Sequence, residues 1–132
     1  MLGDQIAETR GKRTGRRVLP DAGAKVEVSF ESTGKLLGFD VAEIGTYWAV
    51  TRSDGTLYGE GQGVVIASDG AIATWKGQGV GQFRGGGAVG YRGAVYYYSE
   101  SQKLSRLNKV AAVFEFEVDV AGNTHAKIWE WS

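Results

Sequence analysis

The sequence reads as one all-β domain over residues 1–132, an eight-stranded antiparallel barrel with a β-sandwich as the alternative. Three observations point there. Val113 to Val120 runs Val-Phe-Glu-Phe-Glu-Val-Asp-Val, which puts Phe114, Phe116, Val118 and Val120 on one face and Glu115, Glu117 and Asp119 on the other. A helix scatters such residues around its circumference; a half-buried strand separates them. Glycine is 21 of 132 residues beside a single proline, Pro20. With abundant aromatics and valines, that composition suits strongly coiled sheet rather than disordered chain. Finally, turn dipeptides cut the chain into short extended segments whose edges must be hidden by closure or by a second sheet.

Taken in order, strands are expected near 5–18, 25–32, 35–42, 44–52, 56–67, 71–84, 89–99, 111–120 and 124–131. Lys25 to Glu31 repeats the alternation, with Val26, Val28 and Phe30 against charged and polar neighbours. Asp54-Gly55 and Asp69-Gly70 are hairpin signals, because glycine accepts the positive φ of a tight turn. Thr33-Gly34 and Gly122-Asn123 read as further turns, and Gly85-Gly86-Gly87 as a hairpin tip. No segment makes a convincing amphipathic helix; Gln102 to Lys109 is the best chance of a helical turn. The long segments at 56–67 and 71–84 favour a barrel. Each alternates three glycines, Gly59, Gly61 and Gly63 in one, Gly77, Gly79 and Gly81 in the other. Six such positions, each costing about 0.5–1 kcal/mol against alanine, imply a geometric need: sharp coiling or close approach of another group.

Composition removes several function classes. Fifteen basic and fifteen acidic residues cancel, so the chain has no general nucleic-acid or membrane-surface character. It has no cysteine, hence no disulfide, thiolate zinc site or cysteine nucleophile. One histidine, His125, precludes a multi-histidine metal site, and no metal or cofactor is expected. The charged first seventeen residues do not read as a secretory signal, and no apolar run has the length of a membrane helix, so the expected location is cytoplasmic. The glycine-x-glycine runs lie inside strands, with no strand–turn–helix and no phosphate-binding loop to follow. Arg10, Lys12, Arg13, Arg16 and Arg17 occupy both faces of their strand and read as a solvated edge rather than an anion site.

The remaining candidates lie on the glycine strands and among the aromatics. Opposite the glycines stand Tyr58, Glu60 and Gln62 on one strand, Gln78 and Gln82 on the other. Turned into a lumen, these form a polar ladder that binds a ligand; turned out, they are solvated sheet surface, and the glycines pack beneath Trp75 or Phe83. The sequence leaves the two open. Glu60 is the candidate acid/base, because a carboxylate in an apolar lumen holds its proton to higher pH. Glu43 and Asp40 are secondary carboxylates. Trp48, Tyr96 and Tyr98 are the aromatic candidates for contact with a flat or lipid-like ligand; an ordinary aromatic core or a subunit interface is the alternative.

Glu43-Ile44-Gly45-Thr46-Tyr47-Trp48, Leu57-Tyr58-Gly59-Glu60-Gly61-Gln62-Gly63 and the closing Trp129-Glu130-Trp131 resemble a family of uncharacterised bacterial proteins with an allene-oxide-cyclase-like barrel. The resemblance extends over most of the chain in strand rhythm. It implies an eight-stranded antiparallel barrel, similar to the plant cyclases and distantly to lipocalins. The plant enzymes cyclise an unstable fatty-acid epoxide in an apolar barrel without a cofactor, and they assemble as trimers. None of their catalytic positions transfers to this chain. The functional expectation is therefore a protein binding a small apolar or amphipathic molecule in a barrel lumen. The alternatives are a cofactor-free isomerase or cyclase using the same lumen, and a filled barrel serving interaction. A homo-oligomer is compatible with all three.

Overall fold

A computed structural model describes residues 2–21 and 23–132. Eight strands, β1 (Leu2–Val18), β2 (Ala24–Leu36), β3 (Phe39–Thr51), β4 (Leu57–Ala67), β5 (Ile72–Gly85), β6 (Ala88–Ser99), β7 (Ala111–Val118) and β8 (Asn123–Trp131), form a closed antiparallel barrel. Each strand pairs with its chain neighbours, and β8 closes onto β1 from Leu2↔Trp131 to Lys12↔Asn123. No unpaired edge is left among these strands, so the barrel solves the edge problem without a second sheet.

The expected turns at Gly55, Gly70, Gly85 to Gly87 and Gly122 all carry positive φ. One boundary differs. Three strands were expected between 25 and 52, and there are two. Thr33-Gly34 lies inside β2, and the chain reverses at Leu37-Gly38, with φ of 51° and 82°. Gly34 is there for contact: a Cβ on it would lie 2.1 Å from the Glu8 carbonyl oxygen of β1. Close strand approach and turn formation both call for glycine, so the residue alone does not separate them.

Gln102–Lys109 forms a 3-10 helix, η1, between β6 and β7. Its Leu104 and Leu107 are fully buried against Leu36, Val41, Ala67 and Ala73, and so plug one end of the barrel. Polar ties hold the plug. Asn108 accepts from the Ser99 amide and donates to its carbonyl, both at 2.8 Å. Lys103 bonds Asp69 in the β4–β5 turn at 2.6 Å, and Arg106 bonds Glu130 at 2.6 Å. Toward the other end a second cluster gathers Phe30, Ala49, Leu57, Tyr91, Phe116 and Val118. The lumen runs between the two clusters.

Candidate functional site

The register decides which faces turn inward. On β7 the inward set is Ala112, Phe114, Phe116 and Val118, with Ala112, Phe116 and Val118 buried. On β4 it is Leu57, Val65 and Ala67 together with Gly59, Gly61 and Gly63; Gly63 pairs Trp75 and Gly81 pairs Leu57 across β4–β5. The glycine face is therefore the lumen face. Its missing side chains are seats for rings. A Cβ on Gly81 would lie 2.7 Å from the Tyr91 ring, and one on Gly63 would lie 2.3 Å from Trp75 Nε1. The floor expected beneath Trp75 is present; Phe83, the other ring considered, is 54% exposed near the end of β5, beyond Gly81.

The candidate residues take the outward of the two placements that the sequence leaves open. Tyr58, Glu60 and Gln62 on β4, and Gln78 and Gln82 on β5, alternate with the inward glycines and project from the outer wall. The backbone at Glu60 and Gln78 borders the lumen, but the side chains leave it. Glu60 accepts the Tyr58 hydroxyl at 2.6 Å; the Tyr58 ring meets Trp48 with centroids 5.8 Å apart, and Lys25 Nζ sits 4.2 Å over Trp48. Tyr96 and Tyr98 are each 57% exposed. A sheet inverts every side chain with a one-residue change of parity, so all eight candidates leave the lumen together. His125 also lies outward, 2.6 Å from Glu8 on the neighbouring strand. Asp40 pairs with Lys35 at the β2–β3 turn.

In their place stands Glu43. It shares the inward face of β3 with Val41, Gly45, Tyr47 and Ala49 and is buried. Ser32, its direct cross-strand partner on β2, donates to Oε1 at 2.7 Å. Trp75 donates its indole N–H to Oε2 at 2.8 Å. Trp75 is on β5, two strands from β3, and the indole reaches Glu43 by crossing over Gly63 on β4. Any side chain at 63 would occupy that path. Thr9 on β1 supplies another hydrogen bond. Every donor is neutral. Burial consequently dominates and raises the carboxyl above its ordinary value, with the hydrogen bonds from Ser32, Trp75 and Thr9 opposing.

Around Glu43 lies a cavity of about 90 Å³. Phe30, Trp75, Phe114 and Phe116 wall it, and Gly59, Gly61, Gly77 and Gly79 widen it on the β4–β5 side. Three phenols, Tyr47, Tyr91 and Tyr97, also line it. Burial raises all three, Tyr91 to about 12, and Glu43 raises Tyr97 further through its charge. Phe30, Tyr47, Tyr91 and Phe116 contact one another at centroid distances of 5.3 to 6.3 Å. Such an arrangement can enclose a small molecule, exclude water, and present one carboxyl that holds or gives a proton. Among the described residues no group of three or more His, Cys, Asp or Glu is placed to hold a metal ion.

No protein-family model matches the chain, and no curated protein matches it, so an allene-oxide-cyclase-like family has no support from either. Solved structures do match. A protein of unknown function from Clostridium acetobutylicum ATCC 824 superposes with a TM-score of 0.84 at 12% identity, covering 98% of this chain and 95% of that one. A beta-barrel like protein from Acinetobacter baumannii AYE gives 0.80 at 14% identity, covering 96% and 93%. A chain described as an enzyme from Penicillium herquei gives 0.69 at 16% identity, covering 96% and 92%. The likeness is one of fold. At these identities it carries no activity from one chain to another. Among the described residues no helix is long and apolar enough to cross a membrane.

The lumen residues were readable in principle. The face of 57–67 that holds the glycines also holds Leu57, Val65 and Ala67 and no polar side chain, whereas the other holds Glu60 and Gln62. Counting each glycine as apolar sets the parity. On β3 the rule does not decide, because Ala42, Ile44, Trp48 and Val50 make the outward face as apolar as the inward one that holds Glu43.

Proposed function

We propose that this protein binds one small apolar or amphipathic molecule inside its barrel. The observation that carries the reading is the cavity itself: aromatic walls, a glycine side that leaves room, and a few convergent polar groups, the usual makeup of a ligand site. Rings occupy the seats at Gly63 and Gly81, yet the space between Phe114, Tyr97, Gly77 and Gly79 stays unfilled, where a barrel serving only as a scaffold gains stability by close packing. Gently purified protein from its own host, examined by native mass spectrometry, should carry a reproducible extra mass that leaves on denaturation. A bare mass that stays bare after incubation with small hydrophobic compounds contradicts the reading.

Glu43 favours a second reading, a cofactor-free isomerase or cyclase in the same lumen, as the allene-oxide-cyclase resemblance also suggests. A buried carboxyl with a raised pKa is suited to proton transfer near neutral pH. Glu43→Gln would then retain ligand and lose turnover. Self-association remains a separate proposal: the outer face of β3 to β6 exposes Ile44, Val64, Ile66, Ile72, Tyr96 and Tyr98 in neighbouring rows. A cytoplasmic location likewise stands as a proposal.

A further inference from the structure

We infer that the part of an occupant held in the lumen is uncharged, is no larger than a single ring and carries an oxygen that accepts hydrogen bonds, and that carboxylates are excluded. The inference deepens the proposed lumen binding and rests on it. Size comes first. A cavity of about 90 Å³ is smaller than the ~150 Å³ engineered cavity that takes benzene, so the part of an occupant held between these walls is at most one small ring.

Polarity comes second. Tyr97 is nine-tenths buried, lines the cavity, and its hydroxyl has no hydrogen-bond partner among the described residues. No fully enclosed side-chain polar atom among the described residues lacks a partner, so the Tyr97 Oη keeps some accessible surface, and Tyr97 is one of the residues that line the cavity. The Tyr91 hydroxyl, on an equally buried side chain, has no partner among the described residues either. Buried hydroxyls in proteins are paired. A ligand oxygen supplies what these two do not find in the chain.

Charge comes third. Among the described residues no Lys, Arg or His lines the cavity. Arg13, which pairs across strands with Phe30, acts on Tyr47 and lies beside Gly122, does not itself border the space. Glu43, the carboxyl on the inward face, is already surrounded by neutral donors. A carboxylate ligand would be desolvated beside it with no cation to offset the cost. An alcohol, aldehyde or ketone meets no such penalty.

The test is an NMR titration of the whole chain at neutral pH, following the Val95 and Ala126 methyls on the cavity wall. The probes are cyclopentanone, its isosteric hydrocarbon methylenecyclopentane, and the anion cyclobutanecarboxylate. Cyclopentanone should bind, and Tyr97→Phe should weaken it by about tenfold, the effect of one hydrogen bond, while the hydrocarbon's affinity stays level or rises. The anion should leave the methyls unmoved. If ketone and hydrocarbon both bind and Tyr97→Phe changes neither, the lumen binds but the polar assignment is wrong. If the anion binds as well as the ketone, the exclusion of charge is wrong. If no probe moves the methyls, lumen binding itself fails. Tyr97→Phe removes one oxygen and keeps the ring, so its folding is checked by the unchanged remainder of the spectrum.

Discussion

Replacing Glu43 by Gln isolates the consequence of burying a carboxyl among neutral donors. In the native protein burial raises its pKa above the ordinary 4.5 that it keeps in the unfolded chain. Between those two values the native state holds more protons than the unfolded state. Glu43's contribution to stability is therefore fully present below 4.5 and is lost as pH climbs toward the folded value, by about 1.4 kcal/mol for each pH unit of the interval. Glu43→Gln has no proton to lose. Its amide oxygen can accept from Trp75 while its NH2 donates to Ser32, whose hydroxyl can turn to receive it. The variant should match the native protein within about 1 kcal/mol near pH 4 and become the more stable of the two as pH rises to about 8. Glu117, Asp119 and the other carboxyls with lowered values tilt both proteins equally and cancel in the difference. Urea unfolding followed by tryptophan fluorescence at a series of pH values gives that difference directly. A gap that stays flat with pH, or one that favours the native protein at high pH, would refute the reasoning by showing that the folded state stabilises the ionised carboxylate.

Four further outcomes follow from the same geometry. Gly63→Ala places a methyl in the path of the Trp75 indole and should cost about 1–3 kcal/mol, with a shift in tryptophan emission as the bond to Glu43 is lost. Gly77→Ala is milder, because its Cβ would lie 3.2 Å from the Ala94 carbonyl oxygen and 3.6 Å from Val95; denaturant titration should show a change under about 1 kcal/mol, while lumen ligands bind more weakly in the reduced space. Leu104→Ala empties a fully buried plug position and should lose about 2–5 kcal/mol by thermal or urea unfolding. Glu60→Gln changes only the outer wall and should leave lumen affinity where it was; a loss of affinity on titration would show that the wall transmits to the lumen.

The barrel was legible because its signals are local. Phe114 and Phe116 alternate with Glu115 and Glu117, and Asp54-Gly55, Asp69-Gly70 and Gly122-Asn123 each turn the chain where they stand. Gln102–Lys109 became a helix as its pattern allowed. The site was less legible because it depends on non-local pairing. Tyr58, Glu60, Gln62, Gln78 and Gln82 sit one residue from the lumen parity throughout, and the glycine trios hide which face is apolar by having no side chains to classify. Trp75 and Glu43 are 32 residues apart in sequence and meet across an intervening strand. Only the register, which pairs Gly63 with Trp75 and Val65 with Glu43, brings them together. Thr33-Gly34 failed as a turn for a related reason, since Gly34 answers to β1 rather than to its own chain neighbours.

The central claim is that the lumen is hollow space held open for an occupant. Xenon pressurised into crystals of the protein tests it without any polar demand, because xenon enters apolar cavities by size alone. The account predicts a xenon peak bounded by Phe114, Tyr97, Gly77 and Gly79, weakened in Gly77→Ala. Crystals that take up xenon elsewhere, or nowhere, with the aromatic rings closed over the glycine strands, would contradict it.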